Sequence, residues 1–100
     1  MDKDRIARIE EMESYLDESA AAIRALSEAL DRYAEIQGKY NKLEEYYADP
    51  LWLEDLEADE EGLLPDDLKR GVLSEDAVYD LLTEHDDLME KLSEILEAEL

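Results

Sequence analysis

Between residues 9 and 47 the apolar side chains Ile9, Met12, Leu16, Ile23, Leu26, Leu30, Tyr33, Tyr40 and Tyr47 recur at steps of three and four. That spacing is the a/d seam of a heptad repeat, with Ser19, Gln37 and Glu44 as polar interruptions, and it predicts one helix over about 2–47. Ile36 and Leu43 widen the stripe near its end, as packing in a bundle requires. Gly38 is the one expected kink before Asp49 and Pro50 stop the helix.

A second apolar face runs through Val78, Leu81, Leu82, His85, Leu88, Met89, Leu92, Ile95 and Leu96. Its start is marked by Ser74 as N-cap, by Glu75 and Asp76 in the first turn, and by Leu73 and Val78 at the positions of a hydrophobic staple, which predicts a helix over 74–99. Between the two faces lies an acidic elbow, 48–73. There LWLEDL (51–56) predicts one or two helical turns anchored by Trp52, and Gly62 and Pro65 punctuate the acid run that follows. Pro65 is placed to open a short helix reaching Arg70, with Gly71 ending it.

The predicted fold is all-α: a single helical domain, 1–100, with the long N-terminal helix packed antiparallel against the shorter C-terminal helix and short helical elements between them. At 1.5 Å per residue the two helices would span about 69 Å and about 39 Å, leaving roughly 30 Å of the first seam without a partner in its own chain. That stretch, centred on residues 6–23, makes Ile9, Met12, Leu16 and Ile23 candidate interaction residues. A homodimer, another helical bundle or coiled-coil-like homo-oligomer, or a helix of a different protein would cover them.

Composition sharpens this picture. With 100 residues, 45% of them hydrophobic, the chain is one domain at most and gains from burial against a second copy. Three Gly, two Pro and no Phe, beside abundant Leu, Ala and Glu, favour helix throughout. The net charge of −21 is unevenly spread: residues 1–42 carry ten acids and seven bases, residues 43–100 twenty-one acids and three bases. Such a surface repels nucleic acid and anionic lipid and attracts cations or a basic protein partner, so an acidic decoy or nucleic-acid mimic is the alternative function. No apolar run reaches the roughly 20 residues that span a bilayer, and the charged first eight residues precede no signal-type apolar stretch, which points to a cytoplasmic protein.

Candidate chemistry is sparse. There is no cysteine, one histidine, no Gly-rich phosphate loop and no nucleophile elbow, so neither an enzyme nor a cofactor site is expected. His85 is in line with Val78 and Leu92, where a hydrogen-bonded histidine on the packed face is the simpler reading. A di-iron motif fails because Leu82 stands three residues before it. Glu57, Asp59 and Glu61 before Gly62 echo a calcium loop, but Leu68 stands where the bidentate Glu should be, leaving weak divalent-cation-dependent regulation as a second alternative. Tyr33, Tyr40, Tyr46, Tyr47, Trp52 and Tyr79 are read as core or a groove lining, and Lys69 and Arg70 as neutralising Asp66 and Asp67.

The stretches PDDLKRGVLSEDAVYDLL (65–82) and YYADPLWLEDLEADEE (46–61) resemble an uncharacterised bacterial family, domain of unknown function family 4298. The resemblance extends over nearly the whole chain and implies a small bacterial cytoplasmic protein, with no activity, substrate or cofactor attached.

Overall fold

Asp2 opens the first helix: its Oδ1 accepts the backbone N–H of Arg5 at 3.0 Å, the bond an N-cap makes to the third helical residue. From there a computed structural model, which describes residues 2–100, carries α1 over Lys3–Ala48 as one element. No break in the helix falls at Gly38. A Cβ at that position would meet no atom within 4 Å, so nothing presses on the backbone there, and a single glycine costs a helix only about 1 kcal/mol.

Asp49 and Pro50 end α1 and start α2 (Pro50–Glu60). Asp49 is extended (φ −86°, ψ 146°), as a residue before proline prefers to be, and its Oδ1 accepts the Leu51 N–H at 2.8 Å. Pro50 occupies the first helical position, where its missing N–H costs nothing. The helix is longer than the one or two turns expected over 51–56. Glutamate is a good helix former, so the acid run continues the helix to Glu60 and does not break it. Gly62, at φ +74°, is the first residue to leave right-handed space. Its N–H reaches Asp59 O and the Leu63 N–H reaches Ala58 O, both at 3.0 Å, the paired bonds of a Schellman stop.

Two expectations for the elbow need correction. The helix expected over 65–70 is a single turn closed by Leu68 N–H to Pro65 O at 3.2 Å, and Arg70 lies outside helical dihedrals (φ −124°, ψ 20°). Gly71 does not end a helix; it begins the 3-10 turn η1, Gly71–Leu73. The last helix, α3, runs over Ala77–Glu99 and starts three residues after Ser74. Ser74 keeps the extended dihedrals of a cap (φ −69°, ψ 133°), but its N–H belongs to the preceding 3-10 turn and regular bonding begins with Asp80 N–H to Asp76 O. Leu73 and Val78, the two ends of the expected staple, are the buried side chains among the described residues, 6% and 3% exposed.

The chain therefore consists of one long helix, one shorter C-terminal helix and short elements between them, with no strand among the described residues. It divides into two compact units, Met1–Gly38 and Lys39–Leu100. In the first, the described residues are helical from Lys3 onward, and all but the half-buried Ala20 and Tyr33 are exposed. In the second, Leu73 and Val78 form the centre, and half-buried Leu43, Tyr47, Trp52, Leu56, Leu64, Leu82, Met89 and Leu92 complete the core.

Candidate functional site

The C-terminal unit is held together at the elbow by a few directional contacts. Trp52 donates its indole N–H to Val72 O at 2.9 Å, tying α2 to η1 across twenty residues of sequence. The Tyr47 ring meets the Trp52 ring edge-on, centroids 4.9 Å apart at 71°, a favoured geometry for aromatic pairs. Trp52 is thus the anchor its sequence position suggested. The Arg70 guanidinium pairs with Asp59 Oδ1 at 2.5 Å, so Asp66 and Asp67 are not its partners. Asp59 stood out in the sequence only through its calcium-loop spacing, and nothing there pointed to Arg70. It is picked out because the Schellman stop turns the chain back and brings Arg70 to the end of α2.

Tyr46 donates its hydroxyl to Asp55 Oδ2 at 2.5 Å, and that bond to a carboxylate pushes the phenol up to about 12, with slight desolvation adding to it. Tyr46 and Asp55, with Leu64, Leu68, Lys69, Arg70, Val72 and Leu73, line an open cleft of about 350 Å³. Leu64, Leu68, Val72 and Leu73 give it aliphatic walls, and the Tyr46–Asp55 pair, Lys69 and Arg70 supply its polar groups. His85 stacks on Tyr40 with centroids 4.4 Å apart at 20°, its Nδ1 lying 3.3 Å from Asp86 Oδ1. It is half-buried on the packed face of α3.

Of the six aromatic residues singled out in the sequence, five are half-buried and Tyr79 is the exception, 61% exposed on the outer side of α3. Leu81, Leu88, Ile95 and Leu96 are exposed as well, so the covered face of α3 is narrower than its apolar pattern. The calcium-loop spacing falls mostly within α2, since Glu57 and Asp59 are helical. Among the described residues no three His, Cys, Asp or Glu side chains are grouped so as to hold a metal ion.

The four candidate interaction residues lie in the N-terminal unit. Ile9, Met12, Leu16 and Ile23 are 53%, 50%, 61% and 68% exposed, and Ile6, Leu26 and Leu30 are exposed beside them. Nearby, Tyr15 donates to Glu11 Oε1 at 2.6 Å, which raises the phenol's pKa. The elbow's contacts and this open stripe fall within one family pattern: the family model described as Domain of unknown function (DUF4298) matches residues 9–95. The chain belongs to this family. The DUF4298 match takes in the seam from Ile9, the Trp52 elbow and α3 to Ile95, so most of the open stripe and of the packed unit lies inside it. No curated protein and no solved structure matches the chain.

Proposed function

We propose that this member of the family is a non-catalytic interaction module that self-associates through the apolar face of α1 between residues 6 and 30. The observation that carries this reading is the exposure of Ile9, Met12, Leu16 and Ile23, each half or more open at heptad spacing on a helix with no core of its own. A contiguous apolar stripe of this kind is a liability in an isolated monomer and the normal seam of a helix pair. Light scattering of the intact chain and of Leu16→Glu tests it. The intact chain is expected to associate and the variant to be monomeric; a variant that associates normally contradicts the reading.

A second reading rests on the exposed carboxylates of the C-terminal unit, of which only Asp59 is half-buried. They would present a polyanionic surface to a basic protein. Binding of this kind is released by moderate salt because exposed charges are screened. A complex that survives high salt counts against it.

A further inference from the structure

Resting on that self-association, we infer that the second copy lies antiparallel on α1, in a register that places residue 12 of one copy beside residue 30 of the other. Within the exposed stripe, Ile9, Leu16, Ile23 and Leu30 are a positions, and Met12, Ser19 and Leu26 are d positions. Extending the same frame makes Arg5 a d residue before Ile9, and after Leu30 makes the half-buried Tyr33 a d residue, facing Ile9 in this register, and Gln37 an a residue. Reversing one helix sets a against d, and in this register Arg5 faces Gln37 of the second copy while Ser19 faces Ile23. The polar ends of the seam thus meet each other, and the apolar layers fall between them.

The positions flanking the seam fit the same arrangement. From residue 20 to residue 29 they are Ala20, Ala22, Ser27 and Ala29, all small, so two backbones approach closely. Ala20 and Ala22 lie at the two-fold axis, each facing its own copy, and Tyr15 falls opposite Ala29. The acids of this stretch other than Glu13 (Glu10, Glu11, Asp17, Glu18, Glu28, Asp31) sit at outer heptad positions, away from the seam. Two copies of an acidic chain therefore meet here with little like-charge contact.

A parallel, in-register pair is worse on two counts. It would set Arg5 against Arg5 within a seam layer. It would also make both chains leave the seam at the same end, and residues 39–100, which follow there, carry twenty-one acids and five bases, a net −16 in each copy. In its favour are only two exposed Arg8–Glu13 pairs between copies, and such pairs contribute little. In opposed helices the two acidic chains leave the seam from opposite ends, which avoids that crowding.

The chain has no cysteine, so introduced thiols report without background. Met12→Cys and Leu30→Cys chains, one carrying a mass tag, are mixed and joined with a short bis-maleimide, while sedimentation equilibrium records the mass of each. The expected product is the mixed 12–30 species, because residue 12 lies about 27 Å along the helix from its own copy in this register. Ala22→Cys leaves the seam intact and is expected to join to itself. A dimer that yields 12–12 and 30–30 products, or no 12–30 product, overturns the register and leaves self-association standing. A monomer for the intact chain and all three variants overturns both.

Discussion

On both sides of Gly38, α1 carries large apolar residues at heptad spacing, yet the two sides have different fates. Tyr40, Leu43 and Tyr47 are half-buried within the C-terminal unit, whereas Ile9, Leu16 and Ile23 remain more than half exposed. The backbone is the same continuous helix, so the difference lies in what returns to cover it. After Asp49 the chain doubles back through a capped α2, a Schellman stop and a 3-10 turn, and these short elements give residues 39–100 their core. Residues 2–38 form a unit with no buried side chain among those described. An amphipathic face states that it needs covering, and only the turn chemistry states whether its own chain supplies the cover.

The contrast breaks most sharply if a charge is placed in each region. Leu16→Glu is expected to weaken association by about 100-fold or more, as burial of an unpaired charge costs several kcal/mol, while leaving the denaturation midpoint of the C-terminal unit unchanged. The converse is Leu73→Ala, a truncation at one of the two side chains buried among the described residues. It should cost the C-terminal unit about 2–5 kcal/mol in urea unfolding followed by Trp52 fluorescence, with association through the N-terminal stripe retained. Were Leu73→Ala to abolish association as well, the two regions would not be separable.

Smaller changes sharpen the same comparison. Trp52→Phe removes the indole donor to Val72 O and should destabilise the C-terminal unit by about 1 kcal/mol in the same assay. Gly38→Ala, at the junction, should stabilise the helix by about 0.5–1 kcal/mol, since the added methyl meets open space; circular dichroism melts read this directly. The smallest effect is at high pH. Because the Tyr46 phenol is raised to about 12 by Asp55, its contribution is whole below the ordinary tyrosine pKa near 10 and is lost as pH climbs through 12. Ultraviolet titration should show a late-ionising tyrosine that Tyr46→Phe removes.

Much of this was legible in the residues. The long α1, the Asp49–Pro50 stop and the all-helical composition follow from short-range rules, and the structure follows them closely. Leu73 and Val78 are buried as expected, although the helix they were to staple starts at Ala77 and not at Ser74. Misreadings collected where two local signals competed. The acid run 57–61 was read as a turn because charge and Gly62 coincide there, but helix propensity holds until the glycine itself. Pro65 marked a helix start that goes no further than one turn, to Leu68, and Arg70 pairs with Asp59 and not with its sequence neighbours. Pairings such as Arg70–Asp59, Tyr46–Asp55 and Tyr40–His85 depend on where the chain returns in space, which no periodicity encodes. The exposed seam was visible from length alone, because α1 has 46 residues and α3 only 23.

Self-association is tested most directly by sedimentation equilibrium of the intact chain over a wide range of protein and salt concentrations. The account predicts a mass of twice the 11.6 kDa chain that persists, or tightens, as salt rises, since the seam is apolar and the acidic regions repel. A mass that stays at that of one chain throughout would contradict it.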